Sequence, residues 1–398
     1  MSEREGERPF GDRSGASPFG VPLTSLLGLV LLAGASGCDW VGERTVVSSG
    51  PEATLWEDPG GAPDRTMIPV EWNLLWSHGS VDDTLLIRPL RMQGYEGGVL
   101  VLDGQTQRVL ALDRDGRLRW TFGSAGEGPE EFRRARDLRL GGRGDRIYVH
   151  DPELGRITVV DTAGRLIRDV GTRNVGRSET LVSLGDSLFV FVTGSSTDPV
   201  VVLDAEGRVR SRTSLPWDGF EGLPRLSRQG IAATDGNRWA YGFLLGNGFF
   251  AFQGLDPLSY VGRYVEHTDF PTVTVHRSGA RTTRMLAEPP ICSGCSLTLN
   301  DGILYVLFGG GGPDHARIVD LYRWRDGDYL GSYAIPIPAT WIHARGDRFY
   351  VLADVPYPEI NALELPAPPE GVASAMGSLP DQRVRVPRSK STGARAAP

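Results

Sequence analysis

Lysine is almost missing from this chain: Lys390 is the only one among 398 residues, so 41 of the 42 basic residues are arginine (42 − 1). These arginines form no basic block and the formal net charge is −7, which argues against a dedicated nucleic-acid binder. Histidine is scarce and scattered, with six in all. No H-E-x-x-H, G-x-S-x-G or EF-hand spacing occurs, so the short signatures of zinc peptidases, α/β-hydrolases and calcium loops are absent. No long window shows the 3.6-residue period of an amphipathic helix. Glycine (52) and proline (28) are plentiful, and 40% apolar residues with 23% charged residues exclude a disordered or collagen-like chain. The length allows two or three domains at roughly 150 residues each, although all-β rings run larger as one unit.

Cysteine is the other scarcity, and three is an odd number. Cys38 follows the apolar stretch 21–35 (VPLTSLLGLVLLAGA) and the small residues Ala35-Ser36-Gly37. That pattern reads as an export signal, too short to span a bilayer comfortably. The segment ASGC resembles a bacterial lipobox, in which the cysteine becomes the lipidated first residue of the mature chain. Ala35 stands where leucine is usual, and residues 1–20 carry three Arg against four acids. An ordinary cleaved signal or an uncleaved anchor is the alternative. The lipid reading makes 1–37 a signal peptide, 38–69 a tether, and the cell envelope of a bacterium the address, on the periplasmic or cell-surface side.

Cys292 and Cys295 then remain as an even pair in an oxidising compartment. The C-x-x-C spacing also occurs in redox sites, where a helix start activates the first thiol. Here Pro289-Pro290 precedes the pair and the strand-like Ser-Leu-Thr-Leu follows it. A structural loop disulfide is the favoured reading; redox activity and free thiols are the alternatives.

The strongest signal is internal repetition. A short Gly/Asp turn followed by an apolar run recurs in GRGDRIYVHD (142–151), LGDSLFVFV (184–192), TDGNRWAYGF (234–243), NDGILYVLF (300–308) and ARGDRFYVLAD (344–354), with a looser copy at 95–103. A second turn, Asp-x-x-Gly-Arg, starts at Asp113, Asp161 and Asp204. Such acidic residues suit turn chemistry better than calcium binding, and the glycines tolerate positive φ. Each unit reads strand, tight turn, strand, variable loop, strand, tight turn, strand. The first turns fall at Gly98, Asp145, Asp186, Gly236, Gly302 and Asp347, spaced by 47, 41, 50, 66 and 45 residues. This predicts an all-β chain: a six-bladed β-propeller of four-stranded antiparallel blades over 70–366. The longest spacing holds an insertion at about 265–294. The last unit lacks an outer strand, and 70–77 (VEWNLLWS) is predicted to supply it and close the ring. A Pro/Ala/Arg-rich tail, 367–398, is expected to be disordered.

The short turns all emerge on one face, so the other face receives the long, dissimilar loops 123–132, 192–199, 308–315 and 353–359. In the first of these, Phe122-Gly123, Gly126-Glu127-Gly128-Pro129 and Glu131-Phe132 resemble the G-x-G-P-G-E-F segment of the six-bladed β-propeller lipoproteins, relatives of NHL-repeat proteins; Glu130 stands where glycine is usual. The resemblance implies a secreted or anchored propeller and no defined common activity. The same glycines make no phosphate cradle, since no Lys-Ser/Thr and no helix follow.

Variable loops on a rigid ring are where binding function resides. The candidate loop-face residues are Glu127, Gly128, Glu131, Asp314, His315 and Tyr357. Arg88, Arg91, Arg136, Arg139 and His343 belong to inner-strand regions and are candidates to line an axial channel. There they would favour an anion or pair with acids between blades. The expected function is a non-catalytic, membrane-tethered module binding a protein, peptide or glycan, monomeric, with no cofactor and no nucleic acid. The alternative is a propeller hydrolase or lyase, which would need His and carboxylates converging from several inner strands.

Overall fold

The computed structural model describes residues 44–47 and 65–367, apart from 177, 179, 196, 267, 272, 279–280, 287–291 and 311–314. Cys38, the leader 1–37, Asp314 and the tail beyond 367 lie outside the described residues.

Six four-stranded antiparallel sheets follow one another along the chain. Their inner strands are Pro89–Tyr95, Asp137–Leu140, Leu181–Leu184, Gly230–Asp235, Ser296–Asn300 and Trp341–Arg345, for blades 1 to 6 in turn. Each inner strand neighbours those of the preceding and following blades, and the sixth returns to the first. The expected six-bladed propeller is therefore the fold. Because adjacent blades cover both faces of each sheet, the middle strands carry unbroken apolar runs rather than alternation. Gly98–Asp103 is buried at every position, whereas the outer strand Leu118–Phe122 is mostly exposed. The core lies between blades: Leu100, Leu102 and Val109 of blade 1 pack with Leu138, Ile147 and Val149 of blade 2.

The repeated Asp-x-x-Gly-Arg turn has one geometry in three blades. The Oδ1 atoms of Asp113, Asp161 and Asp204 each accept the backbone N–H groups two and four residues on, at 2.9–3.1 Å. Gly116, Gly164 and Gly207 take φ of +79°, +80° and +82°, a region that an L side chain enters at a cost. The carboxylates are thus spent on their own turns.

Ring closure follows the expectation, with the strand at Leu74–His78. It pairs antiparallel with Glu359–Glu364, aligning Trp76 with Ala362 and His78 with Ile360. Trp76 also bridges to blade 1, donating from Nε1 to Arg114 O at 2.7 Å. Trp120 makes the same contact from blade 1 to Thr162 O (3.1 Å), and Arg168 from blade 2 to Ala205 O (2.6 Å). The N-terminal strand thus completes blade 6 and reproduces the contact that couples successive blades. In the long interval between blades 4 and 5 the hairpin Val273–Ser278 and Arg281–Leu286 forms a separate sheet with Arg44–Val47.

Candidate functional site

The inner strands bring their polar residues together around the axis. Asp137, 1% exposed, accepts the Leu138 and Leu181 backbone N–H groups at 2.9 and 2.7 Å and Arg139 Nη2 at 3.0 Å. Arg139 Nε donates to Leu181 O at 2.7 Å, so this ion pair stitches blade 2 to blade 3. Arg91 of blade 1 lies with Nε 3.7 Å from Asp137 Oδ1 and its guanidinium 4.4 Å above the Trp341 ring of blade 6. His343 is buried within reach of Gln93 Nε2 (3.3 Å) and Thr298 Oγ1 (3.4 Å). Ser296, Thr298 and Asn300 of blade 5 meanwhile bond to the backbone of Ile342, Ala344 and Gly346 in blade 6. These polar groups satisfy inner-strand edges that would otherwise be unpaired.

On the long-loop face, the segment 123–132 is closed on itself. Phe132 is fully buried and its N–H donates to Ser124 O at 2.7 Å. Glu131 Oε2 accepts Gly128 N–H at 2.7 Å, and Arg156 clamps the carbonyls of Gly128 and Glu131. Gly128 and Glu131 therefore shape the loop, while Glu127 projects outward to pair with Arg133 at 3.0 Å. His315 Nδ1 lies 2.8 Å from Gly310 O. Tyr357 is half-buried in the loop after blade 6's second strand, and Arg88 is exposed beside Asp354.

Two buried aspartates missed in the repeat pattern hold this face together. Asp103 and Asp151 end the second strands of blades 1 and 2. Asp103 accepts the N–H groups of Ile87 and Arg88 with one oxygen and those of Gln105 and Thr106 with the other. Asp151 does the same for Arg133, Arg134, Glu153 and Leu154. The shared Asp in VLVLD and IYVHD was the available signal. Beside blade 2 and the connection that follows it lies a cleft of about 410 Å³, walled by Arg134, Arg136, His150, Glu153, Thr172 and Arg173. Of the five inner-region candidates, Arg91, Arg139 and His343 meet near the axis, Arg136 enters this cleft, and Arg88 faces outward.

Burial lowers the His150 imidazole to about 4 against the pull of Asp137 and Asp151, and burial aided by Arg345 and Arg139 lowers His343 to about 3. Both rings are neutral in the folded chain at pH 7, while the unfolded chain protonates them near pH 6.5. Between those values the unfolded state binds more protons, so the stabilisation is full above pH 6.5 and declines as pH falls toward the folded values. Each ring is expected to cost about 2 kcal/mol of stability between pH 6.5 and 5. Urea midpoints should fall over that interval and His343→Gln should flatten the slope; a midpoint independent of pH there would contradict this account.

No family model matches the chain, and no curated protein sequence does. Among solved structures it is similar to an exported protein of Bacteroides fragilis (TM-score 0.48, 10% identity, 75% of this chain and 95% of that one). It is also similar to virginiamycin B lyase of Staphylococcus aureus (0.44, 11%, 74% and 100%) and to BamB of Moraxella catarrhalis (0.38, 11%, 74% and 98%). At these scores and identities the neighbours bring no ligand or activity to this chain. The chain itself defines the class: a six-bladed β-propeller closed by its N-terminal strand, with a paired polar axis and long, dissimilar loops on one face.

Proposed function

We propose that the protein is a non-catalytic binding module, tethered at the bacterial cell envelope through a lipid on Cys38, that engages a protein or peptide partner with its long-loop face. The observation that carries this reading is the asymmetry of the two faces. On the short-turn face, the repeated Asp113, Asp161 and Asp204 carboxylates cap their own turns. On the loop face, Val81 (78% exposed) and Val355 (71%) stand open among charges of both signs, Asp82, Arg88 and Asp354. Exposed apolar residues among charges of both signs, presented on a rigid ring, suit a partner protein with apolar and complementary charged side chains. Among the described residues no three His, Cys, Asp or Glu side chains gather into a metal-holding group.

The test places a photo-crosslinking residue at Val355 on the loop face and, separately, at Asp347 on the short-turn face of the full-length protein in cells. A discrete protein adduct from position 355 alone is expected. Adducts from position 347 alone, or none from either, would overturn the assignment of the face. Palmitate labelling that persists in Cys38→Ser, or never occurs, would overturn the anchor. A stoichiometric divalent cation in the purified protein would turn the reading toward the hydrolase or lyase alternative.

A further inference from the structure

The chain that leads from Cys38 into the ring is fastened to one sector of the ring at two points. Arg44–Val47 pairs antiparallel with Val273–Ser278, from Arg44↔His276 to Val47↔Val273. That partner strand belongs to the insertion joining the outer strand of blade 4, Asp256–Gly262, to the inner strand of blade 5. Arg65 is the second point. Its Nε and Nη2 donate to the two carboxylate oxygens of Asp320 in blade 5 at 3.0 and 3.1 Å, and its Nη1 donates to Glu266 of the insertion at 3.1 Å. Asp320 is 1% exposed, and the Arg65 guanidinium lies 4.7 Å over the Phe308 ring. Ile68 N–H then donates to Ser332 O at 2.8 Å, so the segment continues along the outer strand of blade 5. Val81 and Val355, in contrast, belong to the seam of blades 6 and 1.

The hairpin held by Arg44–Val47 is polarised along its length. Its first two pairs, Val273↔Leu286 and Thr274↔Met285, carry no charge, and Val273 is buried. The four pairs beyond them hold Arg284, His276, Arg277 and Arg281, and Arg44 stands opposite His276. No Asp or Glu occurs in 273–286, so the hairpin and its partner strand bring four positive charges to one end of a small sheet. Asp39 and Glu43, the acids between Cys38 and Arg44, leave that balance positive. By register, Arg277 and Arg284 share one face and Arg44 and Arg281 the other, so neither face of the outer end is a continuous apolar surface for protein packing. Arg44 stands six residues after Cys38, a reach of at most about 20 Å for an extended chain. A lipid on Cys38 therefore keeps the basic end of the hairpin close to the bilayer.

We propose that this basic end rests on the headgroups of anionic phospholipids, so that the ring meets the membrane with its insertion between blades 4 and 5. Each basic side chain near an anionic bilayer strengthens attachment by about fivefold, and a single acyl signal gains a stable hold from such a patch. For its reach the contact rests on the Cys38 lipid proposed above, whereas the preference for anionic lipid is the hairpin's own.

The test uses the full-length protein, purified from membranes and reconstituted into vesicles of phosphatidylcholine or of an equal mixture with phosphatidylglycerol. A photo-crosslinking residue at Thr282 is expected to label phospholipid at least about fivefold more in the mixture, and high salt should erase the difference. The same residue at Asp347 on the short-turn face should label none. Arg277→Glu, Arg281→Glu and Arg284→Glu together should abolish labelling from position 282 with the melting midpoint unchanged, and lysine at the three positions should retain it. Mass spectrometry of the Cys38 peptide reads the anchor independently, and labelling from position 282 decides the hairpin whichever way the anchor falls. Labelling indifferent to phosphatidylglycerol, labelling that survives the triple Glu variant, or a discrete protein adduct in place of lipid in whole cells would overturn the proposal.

Discussion

Removing residues 70–78 is expected to abolish cooperative unfolding and to lower the melting midpoint by more than about 10 °C, at about 2–4 °C for each kcal/mol lost. The segment supplies the outer strand of blade 6 through the ladder from Leu74↔Leu363 to His78↔Ile360. Without it, Glu359–Glu364 becomes an open edge, a surface that pairs with other chains. The loss reaches beyond one sheet, because Trp76 also ties blade 6 to blade 1 through Arg114 O and packs against Tyr350 at 6.1 Å. A ring has no terminal blade to fray harmlessly, so opening one seam exposes the flanks of both neighbours. Trp76→Ala keeps the ladder and removes the bridge, and about 2 kcal/mol is expected for that half-buried ring. Calorimetry decides: a deletion variant that melts at the parent midpoint in one sharp transition would contradict closure by this strand.

Asp137→Ala is expected to cost about 3–5 kcal/mol, as large an effect as any single substitution in the ring should have. The side chain is 1% exposed and is the acceptor for Arg139 and for two backbone N–H groups, one of them from the next blade. Its removal leaves the Arg139 guanidinium, 4% exposed, without its carboxylate, and leaves Leu181 N–H without an acceptor. Most of the cost is that stranded charge rather than the net worth of the pair. Asp137→Ala combined with Arg139→Leu should therefore recover much of the loss. Urea denaturation of the single and double variants separates the two terms: a double variant less stable than Asp137→Ala would show that Arg139 contributes independently of its partner.

Residues close in sequence declared the repeats, and residues distant in sequence settled the site. The Asp-x-x-Gly-Arg turns at Asp113, Asp161 and Asp204 were legible because an aspartate capping its own turn and a glycine at positive φ involve only five consecutive residues. The closing strand was legible for a similar reason: Gly79 follows it as Gly123 follows the outer strand of blade 1, and Gly171 ends that of blade 2. The role of Trp76 was not, since it needs the position of Arg114 in a neighbouring blade. Arg139 could be placed on an inner strand from the sequence, but its engagement with Leu181 depends on which strands the ring sets side by side. Gly128 and Glu131 looked like presentable loop residues and proved to be internal to the loop, because Phe132 draws the segment inward and the carboxylate then finds the Gly128 amide.

By itself, the sequence determined the all-β class, the count of six blades, the strand that closes them and the division into a short-turn face and a long-loop face. All of these follow from local backbone chemistry repeated at intervals of 41 to 66 residues. Only the tertiary structure decided on which distant partners the charges are spent. It set Asp137 against Arg139 and buried the His150 ring edge-on against Phe191 of the next blade. The reason is physical: a turn is stabilised by atoms a few bonds apart along the chain, whereas the pairing and burial of a charge depend on neighbours that only the closed ring brings within reach.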